Sequence, residues 1–233
     1  DQKLVFTNRF RENKVLLITG RYIKEKTPQN YGVNQFIFED LFIQKANNTA
    51  QFSQGKMQFA GFEAHLLDKK KNGNLLELKA GNQLRIDNLD TRFQLLKDDQ
   101  VISEPLNYQS NLSYTTNDLY VSGRYLFKLN KFSLSTQSDI HYLNNQLDNQ
   151  TTKIRQNPLI INPTLGLGWK INKDNNITTS YSINTSNAEI ADVYSGFVQT
   201  GFRSFEKGLE AFNQLNSSSA SLIYSYGSWG SKF

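Results

Sequence analysis

The chain has 233 residues, 38% of them hydrophobic, with a mean hydropathy of −0.55, and no apolar run nears the roughly 18 to 20 residues of a membrane helix, which excludes a helical membrane protein but not a β-barrel. It contains no cysteine, which excludes a disulfide framework, a thiol nucleophile and a cysteine-held metal. The net charge of +5 comes from Lys and Arg interleaved with Asp and Glu, so no basic patch that would grip nucleic acid is visible.

Taken in chain order, strands are expected near 2–11, 14–26, 51–69, 74–88, 107–129, 131–146, 157–172, 176–187 and 213–227, with a further one beginning at about Trp229. The warrant is period-two alternation, which gives a strand one apolar and one wet face. Over 76–87, Leu76, Leu78, Ala80, Leu84 and Ile86 hold the even positions with Asn82 the exception, and the odd positions are charged, polar or Gly. Segment 107–129 departs from the rule. Its apolar residues are even at Leu112 and Tyr114, then odd at Leu119, Val121, Tyr125 and Phe127. One long strand with a bulge near Asn117-Asp118 is the preferred reading, and two strands are the alternative. The beat returns in Phe132, Leu134, Ile140 and Tyr142, in Leu165, Leu167 and Trp169, in Ile177, Tyr181 and Ile183, and in Ala220, Leu222, Tyr224 and Tyr226.

The connections alternate in length. Short polar turns lie at Arg11-Glu12-Asn13, Lys71-Asn72-Gly73-Asn74, Asn130-Lys131, Lys173-Asp174-Asn175 and Gly227-Ser228; between them are long connections at 26–50, 89–106, 147–157 and 188–212. This sorting predicts an all-β, antiparallel, up-and-down transmembrane β-barrel with short periplasmic turns and long extracellular loops. About ten strands are counted over residues 1–233. Several strands exceed the roughly 9 to 11 residues that cross a bilayer, so they are expected to continue beyond it. Phe10, Phe127, Phe132, Trp169, Tyr226 and Trp229 flank the short turns, as a membrane-boundary girdle would; the alternative is the core of a sandwich. Pro28, Pro105 and Pro158 are expected in loops or at a strand start and Pro163 near another. The chain begins at Asp1 without Met or a leader and reads as mature or truncated.

Residues that could carry chemistry are few. His65 and His141 are isolated on different strands, which is not a metal-ligand spacing. Gly166-x-Gly168 sits mid-strand on the polar face, where small residues make room for a neighbour. Glu39-Asp40 and Asp98-Asp99 read as solvated loop charge rather than a glycosidase pair. No catalytic, cofactor-binding or metal residue is assigned, and no enzyme is expected. Glu63, Glu77, Lys79, Arg85, Asp87, Arg124, Asp139 and Lys170 are expected on the inner face, balancing one another.

The segment Asp192-Val-Tyr194-Ser-Gly196-Phe-Val-Gln-Thr-Gly-Phe202-Arg203-Ser204-Phe, followed by Ser219 to Tyr226, resembles a late loop and strand of TonB-dependent outer-membrane receptors of the Bacteroidota type; Phe202 stands where those receptors usually carry Tyr. Asn8-Arg9-Phe10 to Tyr22, with Thr27 to Tyr31, resembles an earlier hairpin and loop of the same barrels. The resemblance implies a bacterial outer-membrane protein taking up a scarce solute such as a siderophore, oligosaccharide or peptide. Set against the ten or so strands counted, it makes residues 1–233 a partial barrel, one arc of a single domain, and implies a plug and further barrel strands outside this chain, a TonB energy complex acting through that plug, membrane lipid around the wall, and room for a surface lipoprotein partner. It implies neither nucleic acid nor cofactor. Solute contact is expected from the loop residues Tyr31, Phe36, Tyr194, Phe197 and Arg203. Two other readings stay open, a passive porin or structural barrel and a soluble carbohydrate-binding β-sandwich.

Overall fold

The computed structural model describes residues 1–11, 13–34, 40–149, 152–209 and 211–227. The strand and girdle position expected at Trp229, the loop residue Phe36, and Glu12, Glu39 and Ser228 lie outside the described residues.

The chain is all-β and antiparallel. Its strands are β1 (Gln2–Arg11), β2 (Lys14–Val33), β3 (Asn48–Lys69), β4 (Leu75–Lys97), β5 (Gln100–Ser103), β6 (Ser110–Leu129), β7 (Phe132–Asp148), β8 (Lys153–Gln156), β9 (Leu159–Lys170), β10 (Asn175–Asn187), β11 (Phe197–Gly201), β12 (Ser204–Lys207) and β13 (Gln214–Tyr226), with a 3-10 turn at Leu106–Tyr108 and a one-turn helix α1 (Ile190–Val193). One sheet runs β1-β2-β3-β4-β6-β7-β9-β10-β13, with β5 beside β4 and β8 beside β7, and β11–β12 form a separate hairpin. Among the described residues β1 and β13 each have one neighbour, so the sheet is open rather than closed into a cylinder.

Among the described residues, the short turns between β3 and β4, β6 and β7, and β9 and β10 are where the sequence puts them. Asn130 takes φ 51 in the two-residue turn joining β6 to β7, and Gly73 takes φ 85 in the β3–β4 turn; left-handed backbone suits both residue types. The long connections are more structured than the alternation suggests. β2 runs on to Val33 and β4 to Lys97. Asp98 (φ 51) and Asp99 (φ 62) then form a tight turn into β5, held by Asn47 Nδ2 donating to Asp98 Oδ1 at 3.1 Å. The acidic pair is hairpin chemistry. Pro28 lies inside β2 opposite Gln54 rather than in a loop. It sits beyond the reach of β1, which ends with Gln2 opposite Tyr22, so there β2 has a single neighbour and tolerates a missing N–H.

The bulge expected near Asn117-Asp118 is absent. β6 pairs without a break with β4 from Leu126 to Ser110 and with β7 from Ser113 to Leu129. The change of phase is a change of environment. Leu112 and Tyr114 are 2% and 3% exposed beneath a loop layer, whereas Leu119 and Val121 point to the opposite face and are more than half exposed.

The two faces of the sheet differ throughout. The bare face carries Phe6, Ile18, Phe62, Leu78, Leu84, Leu119, Val121, Phe132, Ile140, Leu167, Trp169, Tyr181 and Leu222, all exposed. Beyond this band the same face turns polar, at Lys24 and Lys26 on β2, Asn88 and Asp90 on β4, and Asn144 and Gln146 on β7. Asn82, the exception within the band, donates to Asn117 Oδ1 at 2.8 Å and to the carbonyl of Asp118 at 3.2 Å, so its amide is satisfied within the wall. The other face is polar near the short turns and apolar farther out, where the long connections fold over it. One cluster there joins Leu112, Tyr114 and Leu147 to Ala188, Val193 and Tyr194. A second joins Phe93 and Leu95 to Phe42, with Tyr108 and Phe205 packed against it.

Candidate functional site

On the covered face many polar and charged side chains are paired, some within one strand and some between neighbouring strands. His65 Nε2 sits 2.9 Å from Glu77 Oε1, and Lys79 Nζ reaches the same oxygen at 3.5 Å. Arg85 Nε donates to Asp87 Oδ2 at 2.7 Å. Tyr120 donates to Glu63 Oε2 at 2.7 Å, and His141 Nδ1 lies 2.9 Å from Asp118 Oδ2. Asp139 accepts from Ser122 and from Gln137 Nε2 at 3.1 Å. Of the mixed charges expected on the wet face, Glu77 and Lys79 and Arg85 and Asp87 answer one another, Glu63 and Asp139 are met by neutral donors, and each His meets one carboxylate. Among the described residues no group of three or more His, Asp or Glu gathers as a metal site.

Close packing shapes this wall. A Cβ on Gly81 would lie 2.5 Å from the Phe62 carbonyl oxygen and 2.7 Å from Tyr120 Oη, so the Tyr120 ring crosses β4 only because position 81 has no side chain. Gly81→Ala should displace Tyr120, break its bond to Glu63 and destabilise the chain by about 1–3 kcal/mol. Urea titration of the variant beside Tyr120→Phe tests this: equal midpoints for Gly81→Ala and the native chain would refute it. Gly166 plays a similar part, since its Cβ would meet Ser135 Oγ at 2.5 Å.

A strap made by residues 187–194 crosses this wall. Tyr114 Oη donates to the Ala188 carbonyl at 2.9 Å and accepts from Asn187 Nδ2 at 2.9 Å. Asn145 Nδ2 donates to Asn187 Oδ1 at 2.7 Å. Glu189 and Asp192 cap α1 reciprocally. The β11–β12 hairpin docks farther out, where Gln199 N donates to Gln51 Oε1 at 2.7 Å and Gln51 Nε2 to the Gln199 carbonyl at 3.0 Å. Below the strap lies a cavity of about 250 Å³ lined by Phe59, Gln83, Arg85, Asp87, Tyr114, Thr116, Asp118 and Asn187 to Glu189. A second, of about 180 Å³, continues it past Phe59 and Gln83 to Glu63, Arg21 and Lys3. Together they form a groove with aromatic faces and hydrogen-bonding groups of both kinds, fit to hold a polar solute.

The residues expected to contact solute do not converge. Tyr31 is on the covered face of β2 opposite Gln51. Tyr194 is 8% exposed in the strap's core, where burial and the neighbouring Glu206 push its phenol above the ordinary value. Phe197 packs on Tyr108 with ring centroids 5.2 Å apart and carries Lys207 Nζ at 5.7 Å. Arg203 lies at the hairpin tip over Phe202, 5.8 Å from the ring centre. The groove residues Phe59, Gln83, Tyr114, Thr116, Asp118 and Asn187 escaped the sequence reading. Their signal was the apparent phase slip at Leu112 and Tyr114, which marks where the wall gains a cover. No family model matches this chain, and no curated protein matches it.

Proposed function

We propose that this chain is an arc of the wall of a bacterial outer-membrane β-barrel, and that the complete barrel takes up a scarce solute by TonB-dependent transport. The observation that carries the reading is the bare apolar face. Monomeric proteins rarely leave apolar patches above a few hundred Å² open to water, yet here the apolar side chains of successive strands share one uncovered face. From Leu76 to Ile86, at about 3.3 Å per residue and a tilt of about 40°, the band spans roughly 25 Å, the height of a barrel's lipid-facing belt. A soluble sandwich would bury that face against a second sheet, whereas this chain's loop layer lies on the opposite side, over Leu112, Leu147, Phe93 and Leu95. The free edges of β1 and β13 require further strands, since unpaired backbone is not stable in hydrocarbon.

Energised uptake is supported by the resemblance of the Asp192–Phe205 loop and the Asn8–Tyr31 hairpin, and by the groove beneath the strap, which suits binding and gated passage without bond making. These 233 residues carry no cysteine, so single cysteines placed among them, in a full protein with any others replaced, give a direct test. Single Leu84→Cys and Val121→Cys variants in outer membranes should resist a water-soluble maleimide, and Gln83→Cys and Ser122→Cys should react; equal labelling of both sets would sink the barrel. Deletion of this gene and deletion of TonB should abolish growth under the same nutrient limitation. Growth that depends on the gene but not on TonB would leave a passive porin.

A further inference from the structure

The Lys and Arg that look scattered along the sequence are gathered by the fold. Among the described residues, over the short turns and the last two residues of each flanking strand lie Arg11 and Lys14, then Lys69, Lys70 and Lys71, then Lys128 and Lys131, then Lys170 and Lys173, against two carboxylates, Asp68 and Asp174. Nine cations against two anions exceed the net +5 of the whole chain, so the positive excess of the described residues is gathered at the short-turn end. Turns far apart in sequence come side by side because neighbouring hairpins share one sheet.

Directly inside two of these turns, on the bare face, is an apolar furrow of about 410 Å³ lined mainly by Phe127, Leu129, Phe132, Leu134, Leu167 and Trp169. Phe132 and Trp169 stack across β7 and β9 with centroids 5.9 Å apart and planes 10° apart. The turn beyond Phe132 carries exposed Lys131, whose Nζ donates to the Ile171 carbonyl at 2.9 Å and ties the two turns together. The turn beyond Trp169 carries exposed Lys173. An apolar slot that ends at a cationic rim matches one chemistry, a chain of hydrocarbon attached to an anionic head.

We propose that this furrow and rim bind an anionic diacyl phospholipid of the leaflet at the short-turn end. One acyl chain lies along Leu134, Leu167 and the Phe132–Trp169 pair, and the phosphate meets Lys131 and Lys173. Cationic side chains at the edge of a membrane span attract anionic lipid over a Debye length, and here the fold places them where the furrow opens. The inference rests on the bare face being the lipid face.

The test uses the full protein in phosphatidylcholine bilayers doped with brominated lipid, a short-range quencher of indole fluorescence. The signal of Trp169 is isolated by difference from Trp169→Phe. Quenching by brominated phosphatidylglycerol should reach half-effect at a several-fold lower mole fraction than quenching by brominated phosphatidylcholine. The preference should vanish in Lys131→Gln/Lys173→Gln. It should also vanish in the native protein at 1 M salt, where the Debye length is about 3 Å, a control that requires no variant to fold. Equal quenching by the two lipids in the native protein at low salt would overturn the site, as would a preference that survives both the charge removal and the salt. Leu84→Cys in the same samples separates the two readings. Shielded Leu84 with an indifferent Trp169 defeats the lipid site alone, and water-accessible Leu84 defeats the membrane reading together with it.

Discussion

Arginine in place of Val121 should cost the membrane-inserted protein about 2–4 kcal/mol, the penalty for a cation near the middle of a barrel's lipid face. Val121 lies on the bare face, 53% exposed, opposite Ala80 on β4 and Ile140 on β7. Were this face in water, an exposed valine could become arginine with a change within about 0.5 kcal/mol. The substitution therefore reports the solvent around the side chain rather than its packing. Gln137→Arg is the paired control. Gln137 is on the covered face of β7, and its Nε2 donates to Asp139 Oδ2 at 3.1 Å; a guanidinium there keeps a donor for the same carboxylate and stays wet. Folded fraction across a urea titration in lipid vesicles, read from heat-modifiable migration on a gel, should fall sharply for Val121→Arg and little for Gln137→Arg. Loss at Gln137 with tolerance at Val121 would mean that the faces are assigned the wrong way round.

That assignment was legible in the sequence wherever one face is apolar and the other polar. Leu76 to Ile86 alternates because one face of the strand is apolar and the other polar along those residues, and the strands near 131–146, 157–172, 176–187 and 213–227 showed the same contrast. The reading failed where the contrast ends. Above Ile86, Phe93 and Leu95 point to the same face as Arg85 and Asp87, and so they appear out of phase although the strand continues. The same reversal at Leu112 and Tyr114 suggested a bulge, because period two reports which side is apolar and not which side is inside. The groove was illegible for a related reason: it is assembled by the strap from 187–194, which returns across β7 to Tyr114 on β6, and no local pattern announces such a crossing. The cationic rim was hidden as well, since a sequence presents hairpin turns far apart that a sheet places next to one another.

Phenylalanine serves both environments of β3 and β4, and truncating it in each separates them. Phe93 is fully buried, with Phe42, Tyr108 and Phe205 rings 5.3 to 5.7 Å away, and its carbonyl accepts from Gln109 Nε2 at 2.8 Å. Phe93→Ala removes the ring that the aromatic cluster under the hairpin is built on and should cost about 3–5 kcal/mol. Phe62, 59% exposed on the bare face, makes no such cluster, so Phe62→Ala should leave the loop layer in place. Trypsin reads the difference through Arg203 and Lys207 in the β11–β12 hairpin. When opening is fast, cleavage follows the open fraction, and each 1.4 kcal/mol is about tenfold. Cleavage in Phe93→Ala should therefore rise by about two orders of magnitude or more, until the hairpin is fully released, while Phe62→Ala keeps the native rate. Because the Gln51–Gln199 pair joins that hairpin to the same stretch of wall, its release should also loosen the strap over the groove. Native cleavage rates in both variants would mean that the aromatic cluster does not hold the cover, and that the groove's roof depends on Tyr114 and Asn145 alone.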